Sequence, residues 1–248
     1  MIASLMMYAR PELDGAHERF WTLIREQLAA RGVQSPEHLS QSTEMFDVWE
    51  DPDLVLSQTC GMPYRLFLKD KVTLVGTLDY GLEGCPAGHY KSAIVVQRDD
   101  PRQRLEAFKD ATFAYNQTHS QSGFAAPYAH TSKLGFWFQN RTETGSHLAS
   151  SKAVADGRAE IAALDGVTWR LIQDYEAFVP SLRVLEWTDP TPGLPLITAA
   201  TQDADTIFDS VSDAIDRLEP NDRKQLGIRS LVRIPKSTYL AVPNPPQE

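Results

Sequence analysis

The sequence predicts an α/β fold in which short apolar strands alternate with helices and pair mainly in parallel. Three observations predict it. The N-terminus reads as a strand followed at once by an amphipathic helix. The same order then repeats along the chain, and Gly or Pro punctuates many of the junctions.

Residues 2–8 form the expected first strand. Pro11 and Asp14 lead into a helix expected over 15–31, where Phe20, Trp21, Leu23, Ile24 and Leu28 recur at helical spacing and Gly32 supplies the stop. Residues 53–57 read as a short buried strand. In Gly61-Met62-Pro63 the proline can start a helix over 64–68. Strands expected over 72–77, 92–96, 112–115, 136–138 and 161–164 alternate with helices over 102–108, 123–130, 146–156 and 167–178. Pro180 and Asp189-Pro190-Thr191-Pro192-Gly193 break the rhythm before a strand over 194–198 and a helix over 204–218. The stretch 235–248 holds four prolines and reads as extended chain over the surface.

The 33 acidic and 24 basic residues, a net charge of -9, are spread along the chain. No cationic stripe exists to neutralise a phosphate backbone, so nucleic acid is not an expected partner. A small anion remains possible where a local nest of backbone N–H groups overrides the distant field. Cys60 and Cys85 are too few for a disulfide framework, and without a CxxC or Cys/His cluster they do not spell a metal site. Buried or free thiols are expected, with a Cys60–Cys85 disulfide as the alternative. No apolar run reaches the ~18–20 residues that span a bilayer, so membrane insertion is not expected. The N-terminal stretch has no basic n-region. A cytoplasmic location follows if Met1 is the true start, and a periplasmic one if a leader is missing.

Candidate chemistry sits where strand ends meet helix starts, the edge at which open α/β sheets bind ligands. Asn116-Gln117-Thr118-His119-Ser120-Gln121-Ser122-Gly123 follows an apolar strand and opens a helix. Helix-start amides, the Ser120 and Ser122 hydroxyls and a Gly that permits close approach suit a tetrahedral oxyanion; an ordinary N-cap is the alternative reading. In Thr142-Glu143-Thr144-Gly145-Ser146-His147, Ser146 can cap a second helix. His147, near its positive end, would prefer the neutral form and could donate to a ligand oxygen. Asp165, after Ala159-Glu160-Ile161-Ala162-Ala163-Leu164, is either an N-cap or an acceptor for a ligand amine or hydroxyl.

In this order, the three segments resemble the phosphate/phosphonate-type solute-binding proteins of ABC transporters, a branch of the type 2 periplasmic-binding-protein fold. The family's S-T-S-G corresponds to Ser120-Gln121-Ser122-Gly123, its G-S-H-x-x-S to Gly145-Ser146-His147-Leu148-Ala149-Ser150, and its A-A-x-D to Ala162-Ala163-Leu164-Asp165. Gln121 stands where the family has Thr, so one hydroxyl of the anion cradle is missing.

The resemblance implies two α/β lobes joined by two crossing segments, 90–97 outward and 182–198 on the return, with a small anion held in the interlobe cleft. Lobe 1 would be 1–90 plus 190–248, and the inserted lobe 2 would be 91–189. From lobe 1 the family contributes an aromatic and small polar residues, for which Tyr8, Tyr64 and Thr59 are the positional candidates, with Tyr90 a further one. It also implies a monomer that needs no cofactor or metal and serves either uptake through an ABC permease or, as a cytoplasmic relative, ligand sensing.

An enzyme reading has weaker support. Ser120 or Ser122 with His147 and Asp165 has the residue types of a triad, but the G-x-S-x-G elbow is absent, as are Walker A and GxGxxG loops and HExxH spacing. Some relatives of type 2 binding proteins are enzymes of pyrimidine or cofactor biosynthesis. That leaves one alternative, with Cys60 or His147 as the reactive group.

Overall fold

The structure, a computed structural model, describes residues 1–246. The chain divides into two compact units: Met1–His89 with Pro192–Ala241, and Tyr90–Thr191 joined by the chain's end from Val242.

The first unit is built on β1 (Ile2–Ser4), β2 (Leu54–Gln58) and β3 (Val72–Asp79). Helix α1 (Asp14–Ala30) lies between β1 and β2 in sequence. β1 ends early because the Gln41 side chain takes the Leu5 amide at 2.8 Å, and Met6–Tyr8 closes as a 3₁₀ turn instead of continuing the ladder. Phe20, Trp21, Ile24 and Leu28 of α1 are at most 2% exposed. Burying such side chains stabilises the fold by roughly 1.5–3 kcal/mol each.

The second unit contributes β4 (Ser92–Gln97), β5 (Phe113–Tyr115), α2 (Ala126–Ser132), β6 (Arg141–Glu143), α3 (His147–Ala155), β7 (Ile161–Asp165), α4 (Gly166–Tyr175) and β8 (Leu182–Trp187). The chain returns to the first unit for β9 (Pro195–Ala199), α5 (Ala204–Asp216), α6 (Pro220–Leu226), β10 (Ser230–Val232) and α7 (Lys236–Leu240).

The two larger sheets have five strands each, ordered β1-β2-β9-β3-β10 and β6-β5-β7-β4-β8, and His89–Tyr90 pairs with Thr191–Pro192 in a two-stranded ladder. Both five-stranded sheets are mixed, which corrects the expectation of parallel sheets. β1 pairs parallel with β2, whereas β9 runs antiparallel to β2 and β3. β5 pairs parallel with β6 and β7, whereas β4 runs antiparallel to β7 and β8. The antiparallel strands are β4, by which the chain enters the second unit, β9, by which it returns to the first, and β10, which pairs with β3.

Alternation along the strands of the second sheet builds two apolar layers. Ala93, Val95, Ala162 and Leu164 pack with Val154, Trp169 and Ile172 on one face. Ile94, Val96, Ile161 and Ala163 pack with Phe108, Phe113 and Phe138 on the other. In the first unit α1 and α5 cover the sheet, with Ile207, Val211 and Ile215 meeting the α1 stripe.

Several expected elements differ. Residues 136–138 are not a strand. Phe138 stacks on Phe113 at 4.6 Å, and Trp137 lies edge-on to Phe124 and Tyr128, so ring packing orders this stretch while β6 forms further on. Of 102–108 only Leu105–Phe108 is helical, a 3₁₀ turn, because Arg102 is clamped by Asp100 and Glu160. The stretch from 235 is not simply extended. It folds as α7, whose Tyr239 is 1% exposed and bonds Thr77 Oγ1 at 2.6 Å and donates to the Gly193 carbonyl at 3.0 Å. Gln247 and Glu248 lie outside the described residues. Both cysteines are free thiols, Cys60 being buried.

Candidate functional site

In the second sheet, the parallel strands β5, β6 and β7 end at one edge. The register Ser92↔Asp165 and Ala93↔Trp187 brings the start of β4 and the end of β8 to the same edge. The helix starts at Gln121, His147 and Gly166 therefore emerge together.

The first of these starts two residues earlier than the sequence suggests. Gln121–Ala125 is a π-turn that runs into α2. Ser120 is its N-cap: Oγ accepts the Gly123 amide at 3.0 Å, and the Ser120 carbonyl accepts from Phe124 and Ala125. A hydroxyl that accepts one hydrogen bond keeps its own proton to donate. Ser120, Gln121 and Ser122 are 2–4% exposed. Gly123 is required here by space, because a Cβ would lie 1.9 Å from Asn116 Oδ1 and 3.1 Å from His147 Cε1.

The second start is set by Gly145, whose φ of +85° is open to glycine, and by Ser146, which caps α3 through the Ala149 amide at 3.1 Å. Two backbone bonds fasten this loop to the first, Thr144 N to Tyr115 O at 2.8 Å and Gly145 N to Asn116 O at 2.9 Å. Thr144 Oγ1 adds bonds to Tyr115 O at 3.0 Å and Ser150 Oγ at 2.6 Å.

The two starts meet where Ser122 Oγ lies 2.9 Å from His147 Nε2. The imidazole is enclosed although the residue retains some exposure. Burial pushes its pKa down to about 4, against a smaller opposing pull from the Ala163 backbone. The ring is therefore neutral near pH 7. His119, in the same loop as Ser120, is also lowered by burial, with Glu143 acting against the shift.

Asp165 caps α4, one carboxylate oxygen accepting from Val167 N at 2.7 Å and Thr168 N at 3.0 Å. Capping is thus realised at Ser120, Ser146 and Asp165 alike. Ser122 and His147 form a cross-loop side-chain pair among the predicted site residues.

The candidates from the first unit are placed differently. Tyr64 is 1% exposed, lies edge-on to Tyr239 and belongs to an apolar cluster with Trp49 and Leu68; burial pushes its hydroxyl up to about 12. Thr59 is 0% exposed. Both are enclosed within the first unit. Tyr8 is 8% exposed and edge-on to Tyr80 at 5.0 Å. Tyr90, in the second unit, is buried.

Sequence reasoning missed Ser92 and Thr188, single polar residues at the ends of apolar strands. Among the described residues no group of three His, Cys, Asp or Glu side chains could hold a metal ion, and no helix is long and apolar enough to cross a membrane.

Polar helix starts gathered at the carboxyl edge of an α/β sheet are where such folds bind ligands. The chain belongs to the family described as the phosphonate periplasmic substrate-binding proteins of ABC transporters, whose model matches residues 56–236. Among solved structures, it is similar to PhnD1 from Prochlorococcus marinus in complex with methylphosphonate. The two share 14% identity, with 96% of this chain and 93% of that chain covered and a TM-score of 0.71. A binding protein component of an ABC phosphonate transporter from Pseudomonas aeruginosa matches at 16% identity, 97% and 82% coverage and a TM-score of 0.70. A Xanthomonas citri protein bound to ATP matches at 14%, 96%, 91% and 0.68. No curated protein matches the chain in sequence. At these identities the solved structures establish the type 2 binding-protein fold, and the family match establishes a solute-binding role.

Proposed function

We propose that this protein captures the oxyanion head of a small phosphonate or phosphate-like ester at the edge formed by Ser120–Gly123 and Ser146–His147, and delivers it to an ABC permease from the periplasm. The observation that carries the reading is the 2.9 Å contact between Ser122 Oγ and His147 Nε2. It brings two helix starts to one point, where amide dipoles, hydroxyls and a neutral imidazole favour negative charge without a lysine or arginine.

Ser120 and Ser122 would donate hydroxyl protons to the anion, and the buried Gln121 replaces a hydroxyl with an amide. Asp165, at the same edge, would attract an amine or hydroxyl of the ligand's organic part, and Tyr8 remains the aromatic candidate from the first unit. Binding makes and breaks no bond, so no catalytic residue is assigned and the enzyme alternative is not favoured.

Thermal-shift and calorimetric titration with phosphate, phosphite, alkylphosphonates, sulfonates and pyrimidine precursors tests this. A ligand at a hundredfold excess over its Kd should stabilise the protein by about 2.7 kcal/mol without turnover. Indifference to every phosphorus oxyanion, or conversion of a pyrimidine precursor, would refute the proposal.

A further inference from the structure

Ser122 sits in a turn that cannot satisfy its own backbone. In the π-turn the Ala126 amide reaches back to the Gln121 carbonyl, so that donor is not available to Ser122. The next amide along, the i+5 partner that the Ser122 carbonyl would need, belongs to residue 127, and residue 127 is proline. Proline has no N–H. A buried carbonyl without a donor is costly, and this one is rescued from outside the helix: Ser92 Oγ donates to Ser122 O at 2.8 Å.

Ser92 is itself held on both sides of its backbone. Its amide donates to Thr188 Oγ1 at 2.9 Å, and its carbonyl accepts from the Thr188 amide at 3.0 Å. Ser92, Ser122 and Thr188 are 1–4% exposed. Ser92 opens β4, two residues after the chain enters the second unit, and Thr188 follows β8, three residues before this stretch of the unit ends at Thr191.

We infer that Ser92 is a positioning residue for oxyanion binding: it supplies the hydrogen bond that Pro127 withholds and thereby sets the direction of the Ser122 hydroxyl toward His147. Thr188 fixes Ser92 in that role. The inference rests on the anion seat proposed above, and Ser92 itself touches no ligand.

The test uses the full chain, methylphosphonate as titrant and ring-labelled histidine for nuclear magnetic resonance. Ser92→Ala should weaken methylphosphonate binding about tenfold, the scale of one lost hydrogen bond, and should move the His147 ring resonances of the free protein. Pro127→Ala in the Ser92→Ala background returns an N–H at the i+5 position and should recover most of that loss. A purely structural serine would lower the melting temperature while leaving both the Kd and the His147 resonances unchanged, which overturns the inference. So does a Pro127→Ala double variant that folds and recovers nothing. If Ser92→Ala does not fold, Thr188→Val, which keeps the shape and removes the acceptor of the Ser92 amide, should weaken binding in the same sense, and an unchanged Kd there is equally fatal. Should the unmodified protein bind no methylphosphonate, the anion seat fails. The His147 resonances of Ser92→Ala then decide by themselves whether Ser92 orients the Ser122 side chain.

Discussion

Ser122 and His147, 25 residues apart in sequence, meet at 2.9 Å because β5 and β6 are parallel neighbours whose ends release two helices at one edge. If this pair grips the oxyanion, Ser122→Ala should weaken methylphosphonate binding by about 10–100-fold, the range for a hydrogen bond to a charged group. The free protein should also lose about 1–3 kcal/mol of stability, because the enclosed His147 ring is left without this partner. Calorimetric titration beside a thermal melt separates the two quantities.

Asp165 should also act on stability, through its cap. Its carboxylate satisfies two amides at the start of α4, so Asp165→Ala is expected to destabilise the free protein by about 1–2 kcal/mol. Urea unfolding measures this, and a variant as stable as the parent would show that the cap is dispensable.

Acid should destabilise the protein through its buried histidines. His147 and His17 are both held near pKa 4 by burial, against an ordinary value of 6.5. The unfolded chain therefore binds more protons than the folded one between those values. Stability is full above about pH 6.5 and declines toward pH 4, with a slope of at most about 1.4 kcal/mol per pH unit for each histidine. Unfolding curves collected across that window should flatten in His17→Gln; a slope that persists undiminished would place its source elsewhere.

Gly123→Ala should be damaging for a reason of space. The new methyl would meet Asn116 Oδ1 at 1.9 Å, and the strain of forcing a group into a filled site is about 1–3 kcal/mol. Shortening the obstacle in Asn116→Ala/Gly123→Ala should restore much of that stability. A double variant no better than the single one would locate the strain outside this pair.

Tyr239 offers a check on the C-terminal stretch. Its hydroxyl joins Thr77 and the Gly193 carbonyl inside the first unit, so Tyr239→Phe should cost about 1–3 kcal/mol, measurable by the same unfolding experiment.

Much of this protein is legible in its residues alone. Period and capping place α1, α3 and α4, since a helix start needs a local acceptor such as Ser146 or Asp165 and an apolar stripe needs 3.6-residue spacing. The ordered segments 120–123, 145–150 and 162–165 point to the family. Other features depend on partners distant in the chain. Gln41 ends the first strand, Thr77 draws Tyr239 inward, and Phe113 and Phe124 claim the aromatic run that alternation suggests is a strand. Tyr64, a ligand candidate by position, packs into an apolar cluster.

What the amino-acid order determined is therefore local: which segments coil, where each begins, and which polar groups stand at strand ends. Tertiary structure decided strand direction, which tyrosines reach the surface, and that Ser92 mends a carbonyl left bare by Pro127. The physical reason is range. A cap or an apolar stripe is complete within a few residues, whereas a ladder, a ring stack or a buried hydrogen bond exists only once segments far apart in sequence are packed together.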